Sequence, residues 1–402
     1  MIPGESIPQK VMIDLNCIAI PRRRRKWRFP VPAGSDVTVL APVYPPALKS
    51  HQIKALAERG NAATRTLVRA ASKIVLIVED SSRITVTADL VSKLLDCLLE
   101  IRGSKRNITI LIAAGAHYNL SAKDLAKKVG KTAFEIHNAA DPSKLVRIGA
   151  SRTGIPLVFN EKVVEADLCF TVSTVNIHPL AGYSGGGKIL LPGVAGLESI
   201  FPFHALPQGT PGVYGSAMRE LIDEVTRILP VAYSWQLLAD PAGRIVAVCG
   251  GALHEAHRQA IARLETLITV AGPGQPADLV LAGCQPFNLN LLSTFKSLNQ
   301  LPKLLRDGGR LILFNEARQG VGDHYWRNDP EVVRMQQERY REIFSRYTVG
   351  VYSPGSDRRE FGRLFPESFR LIEDEAGLTG FGGGNEAIRV VYLPYAPITL
   401  VR

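Results

Sequence analysis

The sequence predicts an α/β protein of two domains, each a mostly parallel sheet covered by helices, with an active site in the cleft between them. Three observations predict it. At 402 residues the chain exceeds one typical domain. Short β-branched runs alternate with amphipathic helical patterns, the order that builds parallel sheets. The alternation breaks at a Gly/Pro-rich stretch and then restarts. A larger domain is therefore expected over 1–271, a linker over 272–277 and a smaller domain over 278–402.

In chain order, "VTVLAP" (37–42) reads as a strand and is followed by a helix near His51 to Arg59. "KIVLIVED" (73–80) is a buried strand, with a helix from Ala88 to Ile101 after it. "NITILIAAGAH" (107–117) is a third strand, and Ser121 with Asp124 then gives a capping-box-like start to "AKDLAKKVG". "ADLCFTVSTVN" (166–176) is a fourth, and "RIVAVCGGA" precedes the helix "HEAHRQAIARLETLI". Past the loop "AGPGQPAD" (271–278) come "DLVLAG", a helix from Leu289 to Leu305, and "GGRLILFNEA". A helix from Pro330 to Arg346, "YTVGVYS" and a closing strand "AIRVVYLP" complete the pattern.

Composition excludes several classes. No apolar run reaches the roughly 20 residues of a membrane span, and the first residues lack the apolar core of a signal peptide. The five cysteines (Cys17, Cys97, Cys169, Cys249, Cys284) are scattered and form no CxxC pair, so neither a zinc ribbon nor a disulfide framework is indicated. The expected setting is a reducing cytoplasm. The formal charge of +11 is concentrated in Arg22–Arg23–Arg24–Arg25–Lys26 and Arg28. That run reads as a solvated loop, or as a rim that steers anions. No nucleic-acid motif and no membrane partner is expected.

Reactive residues follow strand ends. Asp80 and Arg83 come after the second strand, His117 after the third and His178 after the fourth. In open parallel sheets the ligand crevice lies outside the carboxyl ends of the strands, so three strand ends deliver an acid with an arginine and two histidines to one rim. His254 and His257 share a helix spacing that a metal could use, but without a Glu or Cys partner they read as a solvated face. Cys284 reads as a buried thiol.

From Gly182 to Lys188 the chain reads G-Y-S-G-G-G-K, seven positions of a phosphate-binding P-loop. The eighth, which should carry a hydroxyl for Mg²⁺, is Ile189, and Pro192 interrupts the helix such a loop requires. A nucleotide triphosphatase is therefore disfavoured. Gly185, Gly186 and Gly187 still allow close backbone approach, with N–H groups that suit a phosphate.

The block "NIHPLAGYSGGGKILLPGVAGLESI", followed by "FHA", resembles the lactate racemase family, which uses a nickel-pincer nucleotide. "VEDSSR", "AAGAH", "NLLSTFKSL" and "GGRLILFNEARQGVGDHYW" extend the resemblance in order through both domains. It implies a racemase or epimerase acting at the carbinol carbon of a 2-hydroxy acid. Lys188 would anchor the pyridinium mononucleotide and His204 would ligate its nickel. His117 and His178 would alternate as acid and base while hydride passes to the pincer ring and back. Arg83 would clamp the carboxylate, Asp80 would orient a neighbour, and Lys296 would reach the substrate with Ser293 beside it. The last loop, "NEARQGVGDHYW" (315–326), would be structural or line the site.

Departures from the family pattern fall around the substrate. Ser293 stands where Gln is common, Gly187 where a basic residue is common, Tyr118–Asn119 where Arg–Pro is common and Ile84 where Pro is common. They imply a 2-hydroxy acid other than lactate, bulkier or more polar. Enzymes that make the cofactor are the expected partners. A protein that only binds or carries the nucleotide is the alternative, and retention of both His117 and His178 speaks against it.

Overall fold

A computed structural model describes residues 13–14, 17–21, 26–104, 106–207, 209–298, 300–382 and 386–402. The arginines 22–25 lie outside the described residues. The chain divides into two units, one of residues 46–264 with 323–326, the other of 1–45, 265–322 and 327–402.

The first unit is built on a six-stranded sheet. Its order is Ile245–Gly251, Val231–Ala239, Leu168–Thr174, Ile74–Glu79, Ile108–Ala113, Glu135–Ile136. All neighbours are parallel except the first pair, which is antiparallel. Every residue of Ile74–Glu79 is buried, because both faces are covered. Val75 and Ile77 point into one core with Ile200, Phe203, Leu221 and Ile222. Ile74, Leu76 and Val78 point into the other, against Leu90, Leu94 and Leu125. This two-sided burial, about 1.5–3 kcal/mol per large side chain, explains why the run is apolar without alternation.

The second unit carries another six-stranded sheet, ordered Phe369–Ile372, Thr348–Tyr352, Leu305–Phe314, Ala277–Gly283, Arg389–Leu393, Asp36–Val39, all parallel. Ile18 and Phe29, from the antiparallel pair Cys17–Pro21 and Lys26–Pro30, pack on its core with Leu281, Ile312 and Phe314.

Several expectations need correction. The boundary at 271 gave the first strand to the larger domain, yet Asp36–Val39 hydrogen-bonds to Arg389–Leu393 in the second unit's sheet. A helix from Leu289 to Leu305 does not form. It breaks into the turns Leu291–Thr294, Phe295–Leu298 and Pro302–Leu304, because the Asn290 side chain accepts from Ser293 N and Pro302 cannot continue a helix. Ser121 stands at the N-terminus of Ala122–Val129 but makes no side-chain cap bond. The strand Val231–Ala239 escaped the sequence reading because Ser234 and Gln236 interrupt its apolar run. Both are buried and find partners on the neighbouring strand: Thr171 Oγ1 donates to Ser234 Oγ at 2.7 Å, and Ser173 Oγ to Gln236 Oε1 at 3.2 Å.

Candidate active site

The first unit's strand ends bring Asp80 and His117 together. Asp80 directly follows Ile74–Glu79, and its Oδ2 lies 2.7 Å from His117 Nδ1. Its other oxygen accepts from Ser82 N at 3.1 Å and Ser82 Oγ at 2.6 Å, and Arg83 Nη1 donates to that hydroxyl at 3.2 Å. Burial opposes the charge on Asp80, but the facing His117, its hydrogen bond, the Ser82 hydroxyl and Arg83 together hold the pKa down at about 2. The carboxylate is therefore ionised at neutral pH and accepts. His117 must then donate from Nδ1, which leaves the lone pair on Nε2. With 32% of its side chain exposed against 5% for Asp80, His117 can meet a ligand that Asp80 cannot.

A buried ion pair stiffens the strand end behind them. Lys128 Nζ donates to Glu79 Oε1 and to Thr85 O, each at 2.8 Å. Glu79 also accepts from Thr174 N at 2.6 Å and Thr174 Oγ1 at 2.8 Å, tying two strand ends together.

His204 lies in the helix Leu197–Ala205, where its Nδ1 donates to Ile200 O at 2.8 Å. Although the ring is partly accessible, the protein packed around it disfavours its charged form. The Lys188 charge adds to this, and the pKa falls to about 4. At neutral pH His204 is an uncharged imidazole whose Nε2 keeps its lone pair, the state a metal requires. Lys188 Nζ stands 5.6 Å from the Phe203 ring centroid, next to His204.

His324 completes the group and was not singled out from the sequence. Its ring lies edge-on to His117 at 4.8 Å and to His204 at 6.4 Å between centroids. Tyr325 N donates to Ala116 O at 2.9 Å, which fixes the segment against the His117 loop. The loop at 315–326 therefore lines the site at its end. Only three-dimensional proximity reveals this, since His324 follows no strand end of its own unit.

The glycine loop differs from expectation. Gly185, Gly186 and Gly187 are buried, with Gly185 at φ +74° and Gly186 at φ +56°. Gly186 N donates to Gln236 Oε1 at 2.7 Å. A Cβ at Gly186 would lie 2.5 Å from His257 Nδ1, and one at Gly187 would lie 2.4 Å from Thr226 Cγ2. Of the N–H groups expected to cradle a phosphate, that of Gly186 is engaged by Gln236, and the glycines pack closely against His257 and Thr226 beside Lys188. His257 is corrected too. It is buried, donating from Nε2 to Ser184 O at 2.9 Å, and burial brings its pKa to about 3. A P-loop helix is absent here; a short 3₁₀ turn, Gly186–Ile189, stands in its place.

His178 sits in the short hairpin of Ile177–His178 with Gly182–Tyr183. Its Nδ1 accepts from Leu180 N and Ala181 N, each at 3.2 Å. Ser293 and Lys296 belong to the other unit. Ser293 Oγ donates to Asn290 Oδ1 at 2.8 Å, and Lys296 Nζ is 4.4 Å from the Phe287 centroid. Cys284 is buried as expected, and burial pushes its thiol up to about 12.

A domain model described as the lactate racemase N-terminal domain matches residues 24–212. The curated lactate racemases of Thermoanaerobacterium thermosaccharolyticum and Lactiplantibacillus plantarum are 27% and 26% identical, over 279 and 270 residues. These alignments cover 65% and 64% of this chain, and 64% and 63% of the relatives, just under two thirds of their length. The solved structure of the lactate racemase apoprotein from T. thermosaccharolyticum shares the fold, with a TM-score of 0.79, 21% identity, and coverage of 96% of this chain and all of that one. Residues 24–212 carry the lactate racemase N-terminal domain. A protein structure from Thermotoga maritima has the same fold more distantly, at TM-score 0.68 and 16% identity, covering 89% of this chain and 99% of that one. The family model spans Asp80, Arg83, His117, His178, Lys188 and His204, whereas Ser293, Lys296 and His324 lie beyond it.

Among the described residues no cluster of three or more His, Cys, Asp or Glu could hold a metal ion. His204 offers one neutral imidazole nitrogen, a donor that suits nickel.

Proposed function

We propose that the chain is a racemase or epimerase of a 2-hydroxy acid that works with a nickel-pincer nucleotide, held at Lys188 and ligated by His204. The observation that carries this reading is the grouping of the Asp80–His117 pair, His324, His204 and Lys188 in one contiguous set of contacts. Similarity to curated lactate racemases supports the reaction class.

When bound, the nucleotide would supply a hydride acceptor and donor together with the sulfur and carbon ligands of the nickel. The other tasks fall to side chains. The Nε2 lone pair of His117 takes a hydroxyl proton, and the ionised Asp80 behind it stabilises the imidazolium that results. Arg83 clamps the substrate carboxylate in a bidentate manner. His178 is the second imidazole, and Lys296 and Ser293 are the substrate contacts of this proposal. The departures at Ser293, Gly187, Tyr118 and Ile84 favour an acid other than lactate. The enzymes that make the nucleotide are the proposed partners, in a reducing cytoplasm that suits the free thiols Cys97, Cys169, Cys249 and Cys284.

The test is nickel content and intact mass on protein co-produced with the cofactor-making enzymes, followed by a panel of 2-hydroxy acids. Bound nickel that falls in His204→Ala, and an adduct lost in Lys188→Ala, are the expected results. Nickel loading without turnover of any acid would favour the carrier. Preference for lactate would overturn the substrate assignment.

A further inference from the structure

We infer that His324 is a positioning residue of the active site, whose ring sets His117 and His204 relative to one another. This deepens the proposed function and rests on it for the roles of those two histidines, though not for the contacts between the rings.

One hydrogen bond does not fix an imidazole. The torsion between Cβ and the ring is broad, so a ring held at one nitrogen can still swing about that point. His117 Nδ1 meets the Asp80 carboxylate at 2.7 Å, and its side chain is partly exposed, so that bond alone leaves the ring plane undetermined. The His324 ring supplies a second contact, 4.8 Å away between centroids and at 83° to the His117 plane. Edge-on packing at this distance is an arrangement that aromatic rings prefer. Turning the His117 ring would drive it into that neighbour. The same His324 ring stands 6.4 Å from His204, at 82°. His204 is tied through Nδ1 to Ile200 O at 2.8 Å, so it too is held at one nitrogen. His324 therefore packs edge-on to both the proposed base and the proposed nickel ligand.

The segment that carries His324 is pinned to the backbone of the His117 loop. His117 and His324 pair as an antiparallel bridge, Tyr325 N donates to Ala116 O at 2.9 Å, and Tyr118 N donates to Asp323 O at 3.4 Å. The rings of Tyr118 and Tyr325 add a contact at 4.8 Å between centroids. The loop itself is anchored by Gly115 N, which donates to Gly193 O at 2.9 Å. Gly115 has φ +54°, and a Cβ there would lie 3.2 Å from Pro192 O, so glycine permits this close approach. Because the brace and the braced residue share these backbone bonds, the distance between the two rings is set by local structure. What the arrangement uses is the shape of the His324 ring, and a phenyl ring of similar size should serve.

Kinetics and spectroscopy on the full chain test this. In the loaded enzyme His324→Ala should lose about 10²-fold in kcat, the scale of a misplacement of about 1 Å, with KM and nickel content within about threefold of the parent. His324→Phe, which keeps a ring and loses both nitrogens, should stay within about tenfold of the parent kcat. Equal losses in the two variants would overturn the inference, as would full activity in His324→Ala. A fall in nickel content that matches the fall in kcat would assign His324 to cofactor binding and overturn it too. In ¹⁵N-histidine-labelled protein without cofactor at neutral pH, neutral His117 is expected to carry its proton on Nδ1 in the parent and in His324→Phe. His324→Ala should mix the two His117 tautomers. An unchanged His117 signal there would overturn the inference whatever the reaction turns out to be. Should His324→Ala fail to fold, His324→Gln, polar but without a ring, carries the same expectations. Absence of turnover in the parent would sink the proposed function and leave the His117 spectra to decide the inference.

Discussion

The two units carry six-stranded sheets of similar build, and the ends of their central strands differ. In the first unit they bear Glu79, Asp80, Thr174 and the loops to His117 and His178. In the second, the three adjacent strands Ala277–Gly283, Leu305–Phe314 and Thr348–Tyr352 are followed by Cys284, Asn315 and Ser353, all uncharged and fully buried. All eight histidines of the chain belong to the first unit. A parallel sheet provides a rim, and the side chains at that rim decide whether it becomes a reactive centre or a packed seam.

Asp80→Asn breaks the contrast most sharply. An amide can donate as well as accept, so His117 loses the charge and the tautomer that make Nε2 basic. The expected loss in kcat is about 10²–10⁴-fold, accompanied by some loss of stability at neutral pH, since the contacts that hold the Asp80 pKa down also stabilise the fold. Cys284→Ser at the other rim should leave kcat within a few-fold, and a comparable loss there would erase the distinction.

Next comes Lys128→Met, which strands the buried Glu79 carboxylate. Losing one member of a buried pair costs about 3–5 kcal/mol, read by denaturant unfolding. Asn315→Ala, which removes bonds to Asn290 O, Thr294 Oγ1 and Ala317 N, should cost about 1–3 kcal/mol. The reverse order would show that the first rim's charges are not what braces it.

Acid should separate the units. Burial lowers the pKa of His137 to about 4 and that of His257 to about 3, both below the ordinary 6.5. The unfolded chain therefore binds more protons than the folded one in this window. The stabilisation is complete above about pH 6.5 and declines as pH falls toward 4 and then 3, by on the order of a few kcal/mol. Hydrogen exchange at pH 4.5 should show Ile74–Glu79 losing protection before Leu305–Phe314, and simultaneous loss would refute the assignment.

Gly186→Ala is the mildest test. A methyl there meets the His257 ring and a positive φ, at an expected cost of about 1–2 kcal/mol. Calorimetry reads that cost, and adduct mass at Lys188 reads whether the loop still presents the lysine.

The sequence made legible what depends on local pattern. The buried run before Asp80 and those before His117 and His178 end in polar residues, so both the strands and their rim could be read. Family resemblance then marked Lys188 and His204. What stayed hidden depends on distant contacts. Gln236 looks like a fault in an apolar run until Gly186 is seen to need its oxygen. Arg219 looks like a surface helix residue until two hairpin carbonyls claim it. His324 lies beyond the first unit's continuous stretch, and no periodicity connects it to His117.

The strand Asp36–Val39 has a consequence for biosynthesis. Its neighbour in the sheet, Arg389–Leu393, is among the last segments to be translated. At about 5–20 residues per second, the nascent chain holds an unmatched strand for tens of seconds while the histidine-bearing unit is made between the two halves of its partner. An unpaired strand is a template for wrong pairing. The order of synthesis therefore puts the hazard of aggregation in the second unit, which carries none of the histidines.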